Sequence, residues 1–127
     1  MNYTIDPERF KIFVRYMILT AQNKRCATYH ELENILGLNH GQMGFYAGRL
    51  GDYCMARRLP PLNALIINAT NCIPSGGFAW YQKKYKKAWG VLASNCWRRF
   101  RVTSSRSKQV QNFSKRDLDV AIFLSSK

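Results

Sequence analysis

The chain has 127 residues, 46% of them hydrophobic, and sets 20 Lys and Arg against 7 Asp and Glu for a formal net charge of +13. That size and apolar fraction fit one domain with a modest core and argue against a disordered chain. No apolar run approaches the roughly 18–20 residues of a membrane span, and Asp6, Pro7, Glu8 and Arg15 spoil any secretory leader, so a cytoplasmic location is expected.

The first helix is predicted over residues 6–23. Asp6 can cap it, Pro7 suits its first turn, and Phe10, Phe13, Val14, Met17, Ile18 and Ala21 recur at three- and four-residue steps. Thr28 and Glu31 form a capping-box pattern for a short second helix. Its inner face is read as Leu32, Ile35 and Leu36, with Gly37 as the stop. Asn39 can cap a third helix over residues 40–57, with Met43, Tyr46, Ala47, Leu50, Tyr53 and Cys54 facing inward. Two helices joined by a tight turn make a helix-turn-helix, and the second is then the recognition helix. Gly41, Gly44, Gly48 and Gly51 each cost up to about 1 kcal/mol of helix propensity. They point either to close helix packing or to close approach of a ligand backbone.

Arg57, Arg58, Leu59, Pro60 and Pro61 end that helix. The apolar run over residues 62–68 reads as a buried strand, residues 69–77 as turns, and residues 78–80 as the start of a returning strand, which together suggest a wing. A further long helix is predicted over residues 81–100, with Tyr81, Tyr85, Ala88, Trp89, Leu92, Cys96 and Phe100 inward. The polar, basic stretch 102–112 reads as a loop ordered on binding. Residues 114–124 suit a closing helix or, by alternation, a strand, with the helix favoured. The fold class expected is therefore α+β and mostly helical, one domain over 1–127. A winged helix-turn-helix core (28–80) follows an N-terminal helix and precedes a basic extension (81–127).

The charge is unevenly placed. Residues 80–127 carry twelve Lys and Arg against two Asp, a net of +10, whereas residues 1–79 carry a net of +3. A concentrated basic surface gains affinity for polyanions by displacing counterions from phosphates. Tyr81, Tyr85, Trp89, Trp97 and Phe100 lie among those charges and can stack on bases, or else simply fill the core. Lysines crowding the start of the 81–100 helix oppose its dipole, a cost that favours a partner needing the charge.

Cys26, Cys54, Cys72 and Cys96 show no paired spacing, so they read as free thiols, with Cys54 and Cys96 packed in the core. No cofactor or metal is expected. Glu31 and Glu33 belong to a helix start, Asp117 and Asp119 to another, and His30 and His40 stand alone. A non-enzymatic protein is expected, and a nuclease-type toxin is the activity least at odds with the sequence.

The stretch 28–78 resembles the DNA-binding domain of the alkylguanine-DNA alkyltransferases and their alkyltransferase-like relatives. The match runs through Thr28-Tyr29-His30-Glu31-Leu32-Glu33, Gly37-Leu38, the small residues around Ala47-Gly48-Arg49-Leu50, and Pro60-Pro61-Leu62-Asn63-Ala64-Leu65-Ile66-Ile67-Asn68. The resemblance implies a winged-helix scaffold that binds DNA. It does not imply alkyl transfer, because the family's Pro-Cys-His-Arg motif reads Pro61-Leu62-Asn63-Ala64 here. Groove contacts are expected from Gln42, Phe45, Tyr46 and Arg49. Phosphate contacts are expected from Lys83, Lys84, Lys86, Lys87, Arg98, Arg99, Arg101, Arg106 and Lys108. The partner expected is double-stranded DNA, for a regulator, an anti-defence factor or a modified-base reader. RNA or an acidic host protein are the alternatives.

Overall fold

A computed structural model describes residues 3–100. Phosphate-contact candidates Arg101, Arg106 and Lys108, and the expected loop and closing element at 102–112 and 114–124, lie outside the described residues. The chain is mostly helical, with two very short strands.

Helix α1 (Pro7–Gln22) starts where expected. Asp6 Oδ1 accepts from Glu8 N at 3.3 Å, and Pro7 occupies the first turn. Its six-residue apolar stripe is fully buried and forms one wall of the core. After a turn through Lys24, strand β1 (Ala27–Thr28) leads into α2 (Tyr29–Leu36). Thr28 Oγ1 accepts from Glu31 N at 3.0 Å, Glu31 Oε1 accepts from Thr28 N at 3.4 Å, and Gly37 closes the helix in the left-handed region at φ 67°. Thr28→Ala removes half of this box and is expected to cost about 1 kcal/mol, readable as a lower urea midpoint at constant slope.

Ile35 departs from the reading. It is 47% exposed, because Leu32 and Leu36 alone span the narrow strip that two helical turns turn inward. Helix α3 (His40–Ala56) follows after three residues, capped reciprocally by Asn39 and Gln42. All six inward positions expected for it are buried. They meet α1 through Phe10 and Phe13, whose rings lie 6.0 and 6.4 Å from that of Tyr46.

The rest of the chain corrects the sequence reading. Residues 62–68 do not form one strand: Leu62–Leu65 is a 3₁₀ turn, closed by Ala64 N donating to Pro61 O at 2.9 Å. Only Ile66–Ile67 (β2) extends, pairing in parallel with β1 at Ala27↔Ile66 and Thr28↔Ile67. A mostly apolar run specifies burial, and burial on every side suits a tight helical turn as well as a strand. Residues 76–78 form a second 3₁₀ turn that runs directly into α4 (Ala79–Tyr85) instead of returning as a strand. Among the described residues, therefore, no antiparallel hairpin of the wing type is formed.

The expected helix over 81–100 is two helices, α4 and α5 (Trp89–Arg99), with Lys86 left-handed between them at φ 57°. A left-handed lysine costs roughly 1–2 kcal/mol. Rings on both sides of the break reach different carbonyls: Tyr81 OH lies 2.9 Å from Gly48 O and Tyr85 OH donates to Leu59 O at 2.8 Å from α4, and Trp89 Nε1 donates to Ala64 O at 2.7 Å from α5. Ala88, expected inside, caps α5 and is exposed, while Leu92, Cys96 and Phe100 are buried as expected.

Candidate nucleic-acid interface

The four glycines of α3 fall into two pairs. A Cβ at Gly41 would collide with the Tyr3 hydroxyl. One at Gly51 would collide with Asn63 Nδ2 and lie 2.7 Å from both Cζ and the hydroxyl of Tyr81. Those two glycines serve packing. At Gly44 and Gly48 a Cβ would meet nothing within 4 Å. They form the open floor of a cleft of about 280 Å³.

Tyr29, Phe78 and Trp80 line this cleft together with Ser75 and Gly77 of the preceding turn. Tyr29 OH donates to Ser75 Oγ at 3.1 Å, tying the start of α2 to that turn. Trp80 is 46% exposed, with the Lys84 ammonium 5.5 Å from its ring centroid. Arg49, Asp52, Asn63 and Tyr81 supply polar groups. Arg49 pairs with Asp52 Oδ2, and the Tyr81 hydroxyl lies 2.8 Å from Asp52 Oδ1. One proton serves both of the hydroxyl's acceptors, Gly48 O and Asp52. Burial, and then the hydrogen bond and charge of Asp52, push the Tyr81 pKa well above that of a free phenol, so it stays a neutral donor.

Of the expected groove residues, three lie toward the accessible side of α3 and one does not. Tyr46 is 2% exposed, and its hydroxyl accepts from Asp6 N at 2.8 Å. It shares a stripe with Met43 and Leu50, three and four residues away, so it faces α1 and touches no groove. Gln42 is half-buried and uses its side-chain oxygen on the cap at Asn39. Phe45 is half-buried between Tyr3, at 5.9 Å, and the Arg49 guanidinium, at 5.6 Å. Arg49 faces the cleft.

Lys83, Lys84, Lys86, Lys87, Arg98 and Arg99 are all exposed, and residues 79–100 contain no Asp or Glu. The four lysines form no ion pair with another described residue. The break at Lys86 places Lys83 and Lys84 in the last turn of α4, where the helix dipole favours cations. That placement relieves the dipole penalty for Lys83 and Lys84, whereas Lys86 and Lys87 lie just ahead of the N-terminus of α5 and keep it.

The aromatic residues among those charges are committed to the fold. Tyr81, Tyr85 and Trp89 hydrogen-bond backbone as described, Trp97 Nε1 donates to Arg25 O at 3.0 Å, and Phe100 is fully buried. Trp80 does not stand out in the sequence, yet among the described residues it is the exposed large aromatic beside the cations. Asn63 is equally inconspicuous there, hidden in a run that reads as strand.

Cys54 and Cys96 are buried, as expected. Desolvation pushes the Cys54 thiol up to about 12 and that of Cys96 well above its ordinary value, so both remain protonated and unreactive. Among the described residues no group of three or more His, Cys, Asp or Glu is placed to hold a metal, and no helix is long and apolar enough to cross a membrane. No family model, curated protein or solved structure matches this chain.

Proposed function

We propose that this protein is a non-enzymatic DNA-binding protein. In this reading the open face of α3 at Gly44 and Gly48 approaches the nucleic acid, with Arg49 and Phe45 beside it. Lys83, Lys84, Lys86, Lys87, Arg98 and Arg99 hold phosphates, joined by Arg101, Arg106 and Lys108 from the following segment. The observation that carries the reading is the placement of Lys84 over Trp80, which sets an exposed cation against one of the residues lining the glycine-floored cleft. Small residues allow a backbone or ring to come close, and cations near that approach supply sequence-independent affinity.

The sequence order of a turn-linked helix pair, prolines, a short apolar segment and a glycine-containing turn resembles that of the alkyltransferase-like DNA-binding domain, though no wing is formed among the described residues. That resemblance makes duplex DNA the partner to test first. Fluorescence anisotropy with a labelled duplex tests this. Affinity is expected to fall steeply, by about 10³-fold or more, between 50 and 200 mM salt if six or more phosphates are held. A flat curve over that range overturns the proposal. In competition at equal salt, a preference for structured RNA above about tenfold transfers the reading to RNA.

A further inference from the structure

Three of the five described helices end on a cation in the left-handed region: Lys24 after α1 at φ 55°, Arg58 after α3 at φ 59° and Lys86 after α4 at φ 57°. At α3, Arg58 N donates to Met55 O at 3.1 Å and Leu59 N to Cys54 O at 2.9 Å, which satisfies the last carbonyls of the helix. At α4, Lys87 N closes the end in the same way on Gln82 O at 3.2 Å. Glycine takes the left-handed position without steric cost, and the chain uses it at Gly37, where α2 ends. A cation there gains from the helix dipole, but that gain returns only part of the backbone cost. At Lys86 the return is smaller still, because the N-terminus of α5 follows at Trp89. Arg58 and Lys86 therefore stand where glycine fits better, and what they bring that glycine lacks is charge.

Two of these helix ends meet. Tyr85 OH donates to Leu59 O at 2.8 Å, so the residue following Arg58 is tied to the residue preceding Lys86. Arg57, Arg58, Lys86 and Lys87 are all exposed around that bond, and residues 53–100 contain no Asp or Glu. Arg58, Lys86 and Lys87 form no ion pair with another described residue. Cations gathered in this way repel one another, and a phosphate chain laid across them turns that repulsion into attraction while shedding its own counterions. We infer that the ends of α3 and α4 form one phosphate-holding ridge, on which Arg58 and Lys86 contact the same stretch of nucleic-acid backbone. The inference rests on the proposed DNA binding and adds to it Arg58, a residue that reads in the sequence only as part of a helix stop. It also sets the approach. The backbone crosses the C-terminal end of α3, whereas the glycines of the cleft floor lie one to three turns nearer the helix start.

Glycine at these two positions separates binding from folding. Arg58→Gly and Lys86→Gly remove the charge and relieve the backbone together, so each is expected to melt at or above the parent's temperature while holding labelled duplex more weakly. In anisotropy titrations each should lower the salt slope by about 0.9, which makes the parent's advantage about threefold greater at 50 mM than at 200 mM salt. For the double variant the corresponding factor is about tenfold. Arg58→Lys keeps a charge on the same backbone and is expected to keep the parent's slope. Lys11 lies on α1 and is paired with Glu8 at 3.7 Å, so Lys11→Gln removes one charge away from the ridge and is expected to leave the slope unchanged. A steep parent curve whose slope survives in both glycine variants overturns this inference and leaves the proposed function standing. So does a loss in Lys11→Gln equal to that in Arg58→Gly, since the effect would then be one of net charge. A flat parent curve overturns both.

Discussion

Replacing Lys83, Lys84, Lys86 and Lys87 together by glutamine is expected to flatten the salt dependence of duplex binding by about 3–4 units of log K per log salt, at roughly 0.9 for each phosphate no longer held. Between 50 and 200 mM salt that slope amounts to about two orders of magnitude. The parent's advantage over the variant should therefore be about 100-fold greater at 50 mM than at 200 mM. All four side chains are exposed and form no ion pair with another described residue, so stability is expected to change by only about 0.5 kcal/mol either way. Circular dichroism melts separate a binding effect from unfolding. A variant with the parent's slope would place the phosphate-holding groups elsewhere, and it would remove the role assigned here to the segment from α4 to α5.

That experiment matters because two sequence-based grounds for these lysines weaken in the structure. Periodicity over residues 81–100 reads as one helix with lysines at its unfavourable end. It is silent about the left-handed Lys86, since nothing local but a glycine or asparagine announces such a residue. The break lies between rings tied to residues distant in sequence: Tyr81 and Tyr85 of α4 bond Gly48 and Leu59, and Trp89 of α5 bonds Ala64. The interleaved rings are absorbed by those bonds, by that of Trp97 to Arg25 O and, for Phe100, by burial. What remains is the uneven charge itself, together with the exposure of the cations.

Elements governed by local chemistry were legible. The Asp6, Thr28 and Asn39 caps, the Gly37 stop and the apolar stripes of α1 and α3 all depend on residues within a turn or two of each other. The cleft was only half legible. Spacing marked the glycines of α3, but not which pair packs and which stays open, because the packing partners Tyr3, Asn63 and Tyr81 come from other segments. Asn63 could have been flagged as a lone polar residue inside an apolar run, since such a residue needs a buried partner.

The division of the glycines makes the sharpest stability prediction. In an open helix interior, alanine gains up to about 1 kcal/mol over glycine, and Gly44→Ala and Gly48→Ala are expected to realise that gain. Gly51→Ala should reverse the sign. Its methyl group would press on the Asn63 side chain and on the Tyr81 ring, and the ring cannot swing away without breaking its bonds to Gly48 O and Asp52. Overpacking of this kind costs about 1–3 kcal/mol, enough to outweigh the propensity gain. Gly41→Ala falls between, because the Tyr3 hydroxyl is the far end of a side chain that can move. Urea denaturation of the four single variants should rank Gly44 and Gly48 highest, Gly41 next and Gly51 lowest. A Gly51→Ala protein more stable than the parent would mean that α3 and α4 do not meet as described. The wall that Tyr81 gives the cleft would then be gone.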